Sequence, residues 1–314
     1  MIKSSKPIIK HLNDFLDWLE IERGLSSKSQ ENYSIFLKRF LDWLKENDLG
    51  ELKPHQLTPE HVWKYRGYLA RQYSPKNKRA SLKKSTQNYY LIALRSLLNF
   101  FADRDIQAMP AEKIKLARKK GSSAVNFLNL NQLKSLFQAP DTSKIQGLRD
   151  RAILEVFFST GMRIAELTSL NKDQIKLKKD TKDLEVVIVG KGSKPRPVYF
   201  SERAVYWLRK YLQARKDKEK PLFINYKNKT SDSRRLSPRS IQKKIKRYSV
   251  KAGIPITTTP HTLRHSFATD LLQQGVDLRT LQEFLGHNSP LATQIYTHVT
   301  NKRLKDIHRK FHGK

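Results

Sequence analysis

Apolar residues recur at helical spacing along most of the chain. Over residues 8–104 the pattern predicts four amphipathic helices. In the first, Ile9, Leu12, Leu16 and Leu19 share a face, and Gly24 follows as a stop. The second begins near Ser27, with Gln30 placed for a capping box, and sets Tyr33, Phe36, Leu37, Phe40, Leu41 and Leu44 on one side. The third starts at Thr58-Pro59 and carries Val62, Tyr65 and Leu69. A basic polar loop from Tyr73 to Lys84 leads to the fourth, with Tyr90, Leu94, Leu97 and Phe101. The other face of that helix offers Lys84, Gln87, Asn88, Arg95 and Asn99, a polar set suited to phosphate contacts.

Residues 105–128 change character. Pro110, the basic run Lys113–Lys120 and Gly121-Ser-Ser predict a linker that crosses a nucleic-acid backbone, with Lys119 and Lys120 in contact. The expected division is 1–108, a basic linker 109–128, and a second domain 129–314. In that second domain Leu133, Leu136 and Phe137 mark a helix opened by Leu130. A stronger helix runs from Gly147 to Thr160 and ends at Gly161. Leu184 to Val189, LEVVIV, is the strong strand; Gly190 to Lys194 turns, and Arg196 to Phe200 returns as a β-hairpin whose Pro195 and Pro197 make it edge-like. A helix from Glu202 to Arg215 follows. The very basic segment Arg234–Lys251 then sets Ile241 and Ile245 as the buried pair beneath Arg239, Lys243, Lys244 and Arg247.

Residues 259–300 form three short helical segments. The first has Thr259 as cap and Pro260 at its first position; the second runs from an Asp277 cap to Leu285 and stops at Gly286; the third opens at Ser289-Pro290 and carries Tyr296. The tail Asn301–Lys314 has one apolar stripe, Leu304, Ile307 and Phe311, which needs a partner surface.

Composition narrows the function. The chain has 314 residues and a formal net charge of +33. Residues 1–125 hold 24 basic and 13 acidic groups, and residues 126–314 hold 38 and 16, so the net charges are +11 and +22. Positive charge on both halves predicts contact with an extended polyanion, and nucleic acid is the favoured partner. With no cysteine, disulfides and thiolate chemistry are excluded. No apolar run approaches the roughly 18 residues of a membrane span, and the N-terminus lacks a signal-peptide core, so a cytoplasmic protein without a membrane is expected.

Gly161-Met-Arg-Ile-Ala-Glu-Leu ends a helix with a glycine that can turn left-handed and throw Arg163 outward, where Glu166 can orient the guanidinium or pair with another cation. Further on, His261 and Arg264 lie three residues apart in the opening turn of a helix, an anion-seeking place. Leu-Gly-His then ends in His287, and Tyr296 follows nine residues later. A lone histidine such as His265 or His308 reads as a capped or surface group. The order and spacing of the whole set resemble the tyrosine recombinases, the phage-integrase family, and within it the Xer-type branch that resolves chromosome dimers. Residues 19–44 and 91–101 resemble the family's N-terminal core-binding domain.

That resemblance implies a mainly α fold: a four-helix, SAM-like domain and a helical catalytic domain with a small β-hairpin, forming a C-shaped clamp on DNA. It makes Arg163, Lys191, His261, Arg264, His287 and Tyr296 the catalytic set, with Glu166 as acidic companion and Lys191 preferred to Lys194 at the hairpin tip. Tyr296 would attack the scissile phosphate, His261 take its proton and Lys191 protonate the leaving oxygen, with no nucleotide or metal required. The implied partners are further recombinase subunits, in a homo- or hetero-tetramer joined through the tail, and an activating DNA translocase. A type IB topoisomerase, a non-catalytic nucleic-acid binder and a mobile-element integrase are the alternatives. The tail argues against the first and the filled catalytic positions against the second; the lack of an extra arm-binding domain tilts from the third.

Overall fold

The computed structural model describes residues 1–71, 73–74, 77–117, 126–190, 195–226, 234–286, 293 and 296. The chain divides into two compact units, Met1–Ser123 and Ala124–Lys314.

In the first unit α1 (Leu12–Ile21), α2 (Ser27–Glu46), α3 (Pro59–Arg71) and α4 (Lys84–Asp103) share one core. The inward face of α1 differs from the expected stripe. Phe15, Trp18 and Leu19 are fully buried, together with Ile8 in a preceding 3-10 turn, while Ile9, Leu12 and Leu16 lie at the margin. The tighter turn shifts the phase of the face, and the two largest rings take the centre, where burial gains most. No capping box forms at Ser27: Ser26 is the cap residue, and the Gln30 amide donates to the Leu25 carbonyl instead, at 2.8 Å.

The loop expected after α3 contains two short antiparallel strands, β1 (Tyr73–Ser74) and β2 (Asn77–Ser81). On α4, two of the residues read as groove contacts are spent internally. Asn88 holds both the N–H and the carbonyl of Ala117, at 3.0 and 2.9 Å, and Gln87 donates to the Leu82 carbonyl. Met109, Ala111 and Ile114 are buried in this same core, so the chain stays packed on the first unit well into the stretch read as linker.

In the second unit α5 (Leu130–Gln138), α6 (Ile145–Thr160) and α8 (Glu202–Ala214) enclose the core, with α9 (Pro238–Lys251) contributing Ile241, Ile245 and Tyr248. Helix α6 is buried almost all round, charged residues included. Arg149 and Lys244 meet Asp150, and Arg151 and Arg203 meet Glu155, which leaves neither carboxylate unpaired. The hairpin forms as expected: β3 (Leu184–Val189) pairs with β4 (Pro195–Phe200) from Leu184 opposite Phe200 to Val189 opposite Pro195. Val186, Ile188, Val198 and Phe200 face the core, and Val187, Val189 and Tyr199 face outward. Among the described residues no helix is long and apolar enough to cross a membrane.

Candidate active site

Helix α6 ends at Gly161 with φ 58°, a left-handed turn. A Cβ there would meet the Phe267 ring at 2.3 Å, so glycine is required twice over. The turn delivers Arg163 as the cap of α7 (Ile164–Ser169), with Glu166 in the first turn. The Glu166 carboxylate accepts four hydrogen bonds: from the Arg163 N–H (2.7 Å) and Nη1 (2.9 Å), and from Arg196 Nη1 (3.0 Å) and Nη2 (2.8 Å). Burial alone would raise its pKa. The Arg196 and Arg163 bonds outweigh burial and hold the carboxyl below its usual range.

Helix α10 (Pro260–Gln274) starts as expected, with the Thr259 side chain accepting from the Thr262 N–H. One turn in, Arg264 is buried and donates to the carbonyls of Gly161 and Leu285, both at 2.6 Å. Burial, with Arg163 next in importance, pushes its pKa down to about 10, so it remains a cation at neutral pH. Helix α11 (Leu278–Leu285), capped by Asp277, ends at Gly286 with φ 61°. Arg163 Nη2 donates to the Gly286 carbonyl at 2.9 Å. The two guanidiniums thus stand on successive carbonyls at the C-terminal end of one helix, which carries free acceptors and partial negative charge.

Tyr296 is buried, and its hydroxyl lies 2.5 Å from Nδ1 of His265. The rings meet edge to face with centroids 5.6 Å apart. Burial pushes Tyr296 up to about 12, against the pull of Arg264. Burial, then His261 and Arg264, push His265 down to about 4.

Of the expected residues, Arg163, Glu166, Arg264 and Tyr296 therefore belong to one folded neighbourhood in the second unit. His261 is exposed on α10, and the imidazole at the Tyr296 hydroxyl is His265, one turn further on. This corrects the expectation of His265 as a capped or surface group; His261, expected to accept the tyrosine proton, lies one turn before it on α10. Lys191, His287, Lys119, Lys120, the helix expected at Ser289-Pro290 and the tail 301–314 lie outside the described residues.

Arg239 and Lys243 are exposed on α9, as is Lys84 on α4, while Arg95 is half-buried. Lys244 departs from its expected role. Its Nζ lies 3.1 Å from buried Asp150, because a residue three after Ile241 and four before Tyr248 sits on the inward stripe of α9. Arg247 is 67% exposed at its side chain and donates to the Tyr248 hydroxyl.

Arg196 was missed in the sequence. It shares strand parity with Val198 and Phe200, both buried, and an arginine on an inward strand face calls for a buried anion.

Comparisons with known proteins bear on the fold and the family. Residues 126–303 match the phage integrase family, and residues 12–105 match the phage integrase N-terminal SAM-like domain. Tyrosine recombinase XerD of Lacticaseibacillus casei is 35% identical over 306 residues, 95% of this chain and 97% of that protein. Tyrosine recombinase XerC of Leptospira interrogans serogroup Icterohaemorrhagiae serovar copenhageni (strain Fiocruz L1-130) is 33% identical over 317 residues, 98% and 95% respectively. Among solved structures, XerH site-specific recombinase bound to palindromic difH substrate superposes with a TM-score of 0.73 at 21% identity, covering 98% of this chain and 97% of that one, a likeness of fold. Sharing a third of its residues with tyrosine recombinases along nearly its whole length, this chain belongs to the phage integrase family, as a Xer-like site-specific DNA recombinase.

Proposed function

We propose that this recombinase cuts and rejoins DNA through a covalent bond between Tyr296 and a 3′-phosphate. The observation that carries the reading is the Tyr296 hydroxyl against an imidazole, in the same unit as two arginines seated on the neighbouring carbonyls of residues 285 and 286. A phenol with a pKa of about 10 in water is a poor nucleophile at neutral pH without a proton acceptor and nearby cations.

In the proposed step the Tyr296 proton passes to His265 Nδ1, and the phenolic oxygen attacks phosphorus in line. The bond to the 5′ oxygen breaks, and Lys191 supplies that oxygen with a proton. Arg163 and Arg264 neutralise the non-bridging oxygens, while His261 and His287 donate hydrogen bonds to them. The phosphotyrosyl bond retains the phosphodiester energy, so the hydroxyl of a partner strand reverses the attack and passes through a Holliday junction.

The assembly in this reading is four subunits on paired sites, all of this chain or shared with a second recombinase. The stripe Leu304, Ile307 and Phe311 docks between neighbours, and a DNA translocase serves as activator. Resolution of chromosome or plasmid dimers in the cytoplasm is the proposed role. Relatives bearing Xer names that align with 95–98% of the chain favour it over mobile-element integration. Phosphate contacts come from Lys84, Arg95, Lys119, Lys120, Arg239, Lys243 and Arg247.

The test uses nicked duplexes selected for binding from a randomised near-palindromic pool. Cleavage beside the nick lets the short leaving strand diffuse away and traps the adduct. The wild-type chain should form a covalent protein–DNA adduct, and Tyr296→Phe should bind equally and form none. An adduct at wild-type yield in Tyr296→Phe would sink the assignment.

A further inference from the structure

The contacts of Arg196 do not follow from an ion pair alone. Its two Nη atoms take both oxygens of Glu166, and its side chain is only 11% exposed. Its aliphatic stem and guanidinium lie flat against Gly286: a Cβ at that position would meet Cδ and Nε at 2.8 Å and Cζ at 2.9 Å. Among the described residues its Nε is buried without a hydrogen-bond partner, a cost that a purely stabilising pair would avoid. The contacts close a ring: Arg196 to Glu166, Glu166 to Arg163, Arg163 to the Gly286 carbonyl, and Gly286 back to Arg196.

We propose that Arg196 is a positioning residue for strand cleavage, acting through Arg163 by occupying the carboxylate that would otherwise neutralise it. This rests on the cleavage reading above. Glu166 is a buried anion with two cations to choose from. Arg–carboxylate pairs favour two parallel bonds, and with Arg196 absent Arg163 would be drawn into that bidentate geometry. With Arg196 present, the side chain of Arg163 makes one bond to Oε1, keeps Nη2 on Gly286, and stays 33% exposed, open to an incoming phosphate oxygen. Arg196 lies on β4 just beyond the hairpin turn, so the same bridge also ties the hairpin to the turn at Gly286 that leads into residue 287.

The experiment compares wild type, Arg196→Gln, Glu166→Gln and the double variant Glu166→Gln/Arg196→Gln. Duplex affinity and the rate of adduct formation are read on the selected nicked substrate, after a melting curve for each protein. Arg196→Gln should bind DNA as wild type does and form adduct about 100-fold more slowly, the scale of a misplaced catalytic group. The double variant should be faster than Arg196→Gln, because removing the competing carboxylate charge releases Arg163. A merely structural arginine gives no such rescue. Should Arg196→Gln not fold, Arg196→Lys, which keeps the charge but cannot span both oxygens, takes its place against Glu166→Gln/Arg196→Lys.

Wild-type rates in the single variant, or a double variant no faster than the single, would overturn the inference while leaving the cleavage reading intact. Absence of adduct with wild type would overturn that reading and this inference with it.

Discussion

The imidazole of His265 faces the hydroxyl of Tyr296 across 2.5 Å, and both groups are shifted away from charge, to about 4 and about 12. At neutral pH each is therefore uncharged, and in the tautomer that leaves Nδ1 without a hydrogen the Tyr296 hydroxyl donates to it. The proposed nucleophile is thus protonated in this state.

Two outcomes follow for His265. His265→Phe should slow adduct formation by about 10²-fold or more, the usual contribution of a positioned base; a wild-type rate would remove it from the reaction. Its effect on stability has a definite sign. The unfolded ring titrates near 6.5 and the folded one near 4, so between those values the unfolded chain binds the extra proton. This contribution is complete above pH 6.5 and is lost as pH falls towards 4. Urea melts at pH 7 and pH 5 should show wild type losing more stability than His265→Phe; equal losses would contradict the shift.

Glu166→Ala should cost about 3–5 kcal/mol, since it leaves Arg196 buried and Arg163 part-buried without their anion. Because the carboxyl titrates below its usual range, its contribution is present above that range and fades as pH falls through the folded value. Chemical denaturation of Glu166→Ala and wild type across acid pH would read both effects. A gap that widened as pH fell would be the wrong sign.

Gly161→Ala combines a left-handed φ of 58° with a Cβ 2.3 Å from the Phe267 ring. Overpacking of this kind costs about 1–3 kcal/mol, and the backbone strain adds to it. The Gly161 carbonyl also receives Arg264, so cleavage should fall together with stability. Trimming the ring in Gly161→Ala/Phe267→Leu should recover part of the stability. No recovery would mean that the ring is not the obstacle.

Binding to short duplexes should weaken steeply with salt, with a log–log slope of about 0.9 per phosphate contact. The two adjacent lysines of α9 should then separate. Lys243→Ala should lower the slope by about one contact, whereas Lys244→Ala should leave the slope unchanged and cost stability through Asp150. Equal slope changes would place Lys244 on the DNA.

What could be read in advance was local. Thr259-Pro260, Asp277 and Gly286 announce helix ends within a few residues, and LEVVIV with its glycine turn announces a hairpin. What stayed hidden depends on distant partners. Asn88 is committed to Ala117, 29 residues away, and Arg264 to Gly161, 103 residues away; no periodicity carries such information. Lys244 and Arg196 lie between these cases. Their phase on α9 and β4 marked both as inward-facing, and basic composition obscured it. The strands within residues 73–81 had no alternation to betray them, since Asn77 to Ser81 is polar apart from Ala80.

Helix α11 has eight residues, and the carbonyls at its end, Leu285 and Gly286, seat Arg264 and Arg163 in turn. One residue inserted within it would swing that end by about 100° and advance it by about 1.5 Å. Both guanidiniums would lose their seats at once, although neither belongs to the helix. The helix therefore works as a ruler: its length, more than its sequence, sets where the two carbonyls that seat the positive charges lie, and a change in residue count there would reach groups supplied by two other stretches of the chain.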